Sequence, residues 1–179
     1  MSTVFFDVDT QLDFMLPAGA LYAPGAENII PAIARLNRWA AEHSIPVVST
    51  MDAHAENDPE FAQWPAHCVA GTLGQRKPTG TLTGSRHQVI VEKQALDCFS
   101  NPDLPGLLDR LGAGRSVVYG VVTEHCVRLA ALGLLQRGRK VEVVTDAIVG
   151  LARNAADAAL AQIQQAGGRL TTVAEVCRG

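Results

Sequence analysis

The 179-residue chain has no uninterrupted apolar run approaching the roughly 18 residues that a membrane helix needs. It also has no concentration of basic charge. Its 15 Lys and Arg are scattered and outnumbered by 18 Asp and Glu, for a formal net charge of −3. That balance lacks the basic patch on which nucleic acid or an anionic membrane surface docks, so neither is expected as a partner. Cysteine is sparse: Cys68, Cys98, Cys126 and Cys177 lie far apart with no Cys-x-x-Cys pair. The opening "MSTVFFDVDTQLDF" has no basic region ahead of an apolar core and meets Asp7 and Asp9 almost at once, so no secretion signal is expected. Reduced thiols and a cytoplasmic location follow as the expectation, with no disulfide framework. Repeats, low-complexity tracts and linkers are also lacking. What remains is a chain that is 47% hydrophobic, long enough for one sizeable core and read as a single domain over 1–179.

Apolar runs and helical patterns alternate along it. "TVFFDVD", "IPVVST", "HQVIVEK", "RSVVYGVV", "KVEVVTDAI" and "RLTTV" read as six short strands. Between them, "NIIPAIARLNRWAAEH" places Ile29, Ile33, Leu36 and Ala40 at helical spacing, with Pro31 tolerable in a first turn. "NPDLPGLLDRLG" predicts a short helix capped by Asn101 with Pro102 at its first position. "TEHCVRLAALGLLQRG" predicts a helix ending near Gly138, and "NAADAALAQIQQAGG" one stopped by glycines. Met51 to about Arg86 reads as irregular. Strands rich in Val and Ile alternating with helices argue for α/β architecture, a parallel sheet with helices on both faces. Right-handed crossovers make it doubly wound, and such sheets bind ligands at the carboxyl ends of their strands.

Reactive side chains gather there in the sequence. Asp9 follows strand one, Asp52 and His54 follow strand two, Lys93 ends strand three, and Cys126 opens the helix after strand four. A cysteine at a helix N-terminus suits a thiolate nucleophile; the plainer alternative is a small residue packed on the helix's inner face. Asp9, among apolar neighbours, is a natural general acid or base with raised proton affinity; otherwise it caps a turn. Lys93 supplies positive charge to hold the two together, unless it is an ordinary strand-end lysine in solvent.

"MDAH" and "WPAHCVAG" offer a second set. Asp52, His54 and His67 are two nitrogen donors and one oxygen donor, suited to Zn²⁺, Fe²⁺ or Mn²⁺; the alternative is loop hydrogen bonding. Glu60 is the candidate fourth ligand, with Glu56 and Asp58 competing. Cys68 adjoins His67, but neighbours in an extended chain point to opposite sides, which counts against both binding one ion.

Taken together, these segments resemble the isochorismatase-like cysteine hydrolases, and within them the nicotinamidases, which also hydrolyse pyrazinamide. The resemblance covers nearly the whole chain. "FDVDTQLDF" is similar to the family's opening strand with its catalytic aspartate (Asp9), "VEK" to the strand ending in the catalytic lysine (Lys93), and "GVVTEHCV" to the turn bearing the nucleophile (Cys126). The resemblance implies a three-layer α/β/α sandwich with a six-stranded parallel sheet in the order 3-2-1-4-5-6. It implies a cis peptide between Val121 and Val122 and an oxyanion hole from the Val122 and Cys126 amides. It also implies Asp52, His54 and His67 as metal ligands, with Glu60 at the spacing of a glutamate ligand in some members. Phe14 and Trp64 align with the aromatic walls around the substrate ring, and Val122 and His125 complete the expected substrate contacts. The sheet order sets a geometric problem: strand three lies two positions, roughly 10 Å, from strand one, so Lys93 must lean inward to reach Asp9.

The function expected is hydrolysis of a small-molecule amide, nicotinamide foremost, through a thioester on Cys126, in NAD salvage, with a divalent metal such as zinc. The compact segment "QALDCFSNPDLPGLL" after Lys93 departs from the usual nicotinamidase version and leaves open another small amide, carbamoyl compound or ureide. A non-catalytic binding module and redox work by Cys126 are the readings from other classes. The family's habit of assembling leaves room for a homo-oligomer.

Overall fold

In the computed structural model, which describes residues 2–178, six parallel strands form one sheet in the order β3-β2-β1-β4-β5-β6. They are β1 (Ser2–Val8), β2 (Val47–Asp52), β3 (Gln88–Lys93), β4 (Ala113–Val121), β5 (Lys140–Val149) and β6 (Arg169–Thr171). Helices α1 (Leu12–Met15), α2 (Ile30–Glu42), α3 (Asp103–Arg110), α4 (Arg128–Gln136), α5 (Arg153–Gln165) and α6 (Val173–Val176) connect or follow them. The order and the three layers are those expected.

Strand β1 explains the layering. Val4, Phe6 and Val8 point to one face, where Leu104 and Leu108 of α3, Ala130 and Leu134 of α4 and Ile163 of α5 cover them. Phe5 points to the other, against Ile33, Leu36 and Ala40 of α2 and Val173 and Val176 of α6. With both faces covered, β1, β2 and β4 bury almost every residue. Each fully buried Leu, Ile or Phe contributes about 1.5–3 kcal/mol relative to exposure. Two such clusters, one on each face, hold the strand ends at fixed spacing. Among the described residues no helix is long and apolar enough to cross a membrane.

Several boundaries differ from the sequence expectation. Strand two runs on through Met51 and Asp52, so the first acidic residue of "MDAH" is a strand residue in register with Lys93 of β3. The sixth strand stops at Thr171, because Thr172 turns to cap α6 in a reciprocal capping box with Glu175. Asn101 does accept the Asp103 amide, at 2.9 Å, and the helix starts one residue beyond Pro102. The helix after β4 does not begin as an α-helix. Thr123–Val127 form a π-turn, with the Val127 amide donating to Val122 O at 3.2 Å, before α4 begins at Arg128. Gly120, at φ 120°, lets β4 press onto β1 just before that turn; an added Cβ would sit 2.1 Å from Val8 O.

Candidate active site

The order of strands places the ends of β1 and β4 side by side at the point where the winding direction reverses. Asp9 leaves β1 with φ 49°, a left-handed conformation that is uncommon for a non-glycine residue. Its amide donates to Thr50 O, and its Oδ1 accepts the Thr50 hydroxyl at 2.7 Å. Its Oδ2 lies 2.9 Å from Lys93 Nζ. Cys126 comes from the π-turn after β4, with Sγ 3.9 Å from the same Nζ. All three side chains are buried.

Lys93 reaches them by way of Asp52. The two residues are paired across β2 and β3, and residues paired in register on parallel strands share a face. The lysine therefore lies over Asp52, contacts its Oδ1 and continues to the end of β1. This resolves the distance problem: the strand between is bridged by a carboxylate.

Burial dominates the electrostatics. Desolvation pushes the Asp9 carboxyl up, partly offset by Lys93 and reinforced by Asp52. Burial likewise drives the Cys126 thiol well above its usual range, against the pull of Lys93 and with Asp9 adding to the rise. Lys93 is opposed by desolvation, but Asp9, Cys126 and Asp52 outweigh it and keep it charged. Burial thus works against a charged Cys126 and enhances the basicity of Asp9. Burial opposes the helix-start effect expected to favour a thiolate at Cys126.

The other oxygen of Asp52 faces the histidines. Asp52 Oδ2 is 3.8 Å from His54 Nε2 and 3.8 Å from His67 Nε2. His54 Nδ1 lies 3.0 Å from Asp58 Oδ2, and His67 Nδ1 lies 2.7 Å from Pro65 O. A carboxylate and a carbonyl can only accept, so each Nδ1 carries the hydrogen and each Nε2 is turned toward the same point. His54 Nε2 is buried with no hydrogen-bond partner. Zinc ligands at about 2.0–2.2 Å lie no more than about 4.4 Å apart, and the 3.8 Å separations fit that limit. The residues present fit a divalent cation. Glu60 stands beside this triad, its Oε1 3.9 Å from His67 Nε2. Asp58 is committed to the far nitrogen of His54. Among the described residues, neither Glu56 nor Cys68 belongs to a converging ligand group. The Asp52 carboxylate facing Nε2, opposed by burial and helped by Asp58, raises His54 to about 9 when no cation is bound.

Cys126 from one set and Asp52 and His67 from the other reach one cleft. Phe14, Trp64, Val121, Val122, His125 and Cys126 line it together with Asp52, Glu60 and His67. Phe14 leans on the His67 ring at 5.4 Å, and Trp64 meets the His125 ring edge-on at 5.7 Å. The peptide between Val121 and Val122 is cis. Cys68 is buried away from the cleft, with its thiol pushed far up by desolvation. The sequence reading missed Leu21, Leu96 and Leu151, which complete the apolar wall. Leu96 lies in the compact segment after Lys93, the one available signal. The other two enter from loops that no periodicity marks.

Fold and site together define an α/β enzyme with a cysteine, an acid and a lysine at the switch point of its sheet. Residues 3–175 match the isochorismatase domain family, and the chain belongs to it. A nicotinamidase/pyrazinamidase of Mycobacterium tuberculosis (strain ATCC 25618 / H37Rv) is 28% identical over 174 residues, covering 89% of this chain and 92% of that protein. The pyrazinamidase of Pyrococcus horikoshii, solved in complex with zinc, superposes with a TM-score of 0.89 at 31% identity, over 96% of this chain and 99% of that one. PnC1 from L. infantum, solved in complex with nicotinate, gives a TM-score of 0.89 at 27% identity, over 97% and 93% of the two chains.

Proposed function

We propose that the protein is a metal-containing cysteine amidohydrolase that converts nicotinamide and water to nicotinate and ammonia. One observation carries this reading. Asp52 joins the Asp9–Lys93–Cys126 cluster to the His54–His67 pair, and Cys126, Asp52 and His67 line a single apolar-walled cleft. The nicotinamidase and pyrazinamidase relatives support the choice of substrate.

The residues divide the work. Asp9 takes the thiol proton as Cys126 attacks the amide carbon, so a standing thiolate is not required. The Val122 and Cys126 amides face the developing oxyanion. Asp9 returns the proton to the departing nitrogen, which leaves as ammonia, and a thioester remains on Cys126. Asp9 then deprotonates water, which attacks the thioester, and the acid and the thiol are released. Lys93, charged throughout, offsets the negative charge that moves between Asp9 and Cys126. Phe14 and Trp64 sandwich the ring. Asp52, His54 and His67, with Glu60 alongside, would hold a divalent ion such as zinc, which supplies a Lewis-acid contact for the ring nitrogen. The whole of 1–179 acts as one catalytic domain, and four free thiols suit a reducing compartment such as the cytoplasm.

The deciding measurement is ammonia release from nicotinamide by pure protein, before and after chelation and zinc restoration, beside other small amides, carbamoyl compounds and ureides. Nicotinamide should be turned over fastest, and Cys126→Ala should abolish release. A Cys126→Ala protein as active as the parent removes the mechanism; preference for a carbamoyl compound or ureide removes the substrate.

A further inference from the structure

Three alternate residues of the segment that leaves β1 and enters α1 reach three different parts of the site. Asp9 faces Lys93 at 2.9 Å. Gln11, fully buried, closes its amide on the backbone of Asp52. The Asp52 amide donates to Gln11 Oε1 at 2.7 Å, while Gln11 Nε2 donates to Asp52 O at 2.8 Å and to Gln75 O at 2.9 Å. Asp13 accepts the Cys68 amide at 2.7 Å on Oδ2 and the Ala20 amide at 3.0 Å on Oδ1.

The Asp13 contact bears on both histidines. Cys68 follows His67 and sits at φ 45°, a conformation that costs a non-glycine residue free energy and persists only where its surroundings enforce it. The Cys68 carbonyl accepts the His54 amide at 3.1 Å, and the His54 carbonyl accepts the Ala70 amide at 2.9 Å. A hold on the Cys68 amide therefore fixes the short pairing between the two histidine-bearing segments. Gly74 gives an independent sign that this carboxylate has a reserved place: an added Cβ there would lie 2.1 Å from Asp13 Oδ2.

We infer that Gln11 and Asp13 are positioning residues that register Asp52, His54 and His67 for metal against the nucleophile cluster, without touching ion or substrate themselves. The inference rests on the metal-site reading above. Loss of partners of this kind costs about 10–100-fold in metal affinity.

The test titrates the chelator-stripped protein with Co²⁺ and follows its visible absorption, with thermal melts of the stripped forms alongside. Three variants are compared with the parent: Asp13→Asn, Gln11→Met and Gly74→Ala. Asparagine keeps the shape but turns an NH₂ toward one of the two amides. Alanine at 74 displaces the carboxylate from outside. Each should bind Co²⁺ about 10–100-fold more weakly with an altered band, while the stripped protein melts within about 5 °C of the parent. A variant with the parent's affinity and spectrum removes its residue from the proposal. Affinity losses matched by melting losses above about 10 °C in all three assign a merely structural role and overturn it. A parent that takes up no Co²⁺ overturns the metal reading and this inference together.

Discussion

Asp52 and Lys93 stand in register on neighbouring strands, and their side chains meet between the two halves of the site. One oxygen of Asp52 serves the lysine beside Cys126, and the other serves the histidine pair. Desolvation lifts the Asp52 carboxyl, but Lys93 and His54 together hold it below its ordinary value. Asp52→Asn should therefore damage both halves, whereas His67→Gln should damage only the metal half. Metal content should fall in both variants. The kcat/KM of Asp52→Asn should drop at least about 100-fold, and further than that of His67→Gln by about tenfold. Equal losses in the two variants would show that the link through Lys93 carries no catalytic weight.

Asp9 separates stability from activity. Its folded-state proton affinity is raised, so its stabilising contribution is complete below the unfolded value of 3.8 and is lost as pH rises through the folded value. The charged form of this carboxyl is the one that burial opposes. Asp9→Asn leaves Lys93 paired with Asp52. Thermal melts at pH 7 should place Asp9→Asn at or above the parent, while turnover falls by at least about 10³-fold. The same raised affinity sets the acid limb of kcat/KM above the ordinary aspartate range. A melting temperature several degrees below the parent at pH 7 contradicts the assignment.

The sheet and its layers were legible because Val- and Ile-rich strands and amphipathic helices repeat with a period. Residues such as Val4, Phe6 and Val8 declare their face by alternation alone. Asp9, Asp52, His54, Lys93 and Cys126 stood out because polar residues at buried strand ends are costly without a use, and His67 because it supplies a second nitrogen donor to the Asp52–His54 pair. Leu21 and Leu151 did not stand out. Their place in the cleft depends on how two loops fold over a finished sheet, and an isolated leucine carries no mark of that. The π-turn at Cys126 was hidden too, since Thr123–Val127 have the composition of an ordinary helix start. Gln11 and Asp13 lay inside a quoted motif, yet what they grip is visible only when β2 and the loop at Cys68 have come to meet them.

Metal binding at His54 would couple ion uptake to proton release. With Asp52 and Asp58 against it, its proton affinity is raised to about 9 in the metal-free state. Its contribution to metal-free stability is present in full below the unfolded value of 6.5 and is lost as pH rises through about 9. A cation at Nε2 must displace the proton held there at neutral pH. Calorimetric titration with Zn²⁺ at pH 7 in buffers of different ionisation enthalpy should show about one proton released per ion. Release near zero would mean that Nε2 is not where the ion binds.

Leu151 reaches the cleft on a segment tied to the nucleophile turn. Glu124, two residues before Cys126, accepts the Leu151 amide at 2.9 Å and the Ala152 amide at 2.8 Å through one oxygen. Gly150 leaves room for the other, since an added Cβ would meet it at 2.5 Å. Leu151 touches the substrate wall but none of the reacting groups, so its loss should weaken ring binding rather than bond breaking. Leu151→Ala should raise KM about fivefold, equivalent to about 1 kcal/mol of apolar contact, with kcat within about twofold. Glu124→Ala frees the same segment and should raise KM similarly. If the carboxylate acts by holding Leu151 in place, the double variant will show little more than either single change. Fully additive effects on KM would instead assign Glu124 a separate role at the cysteine turn.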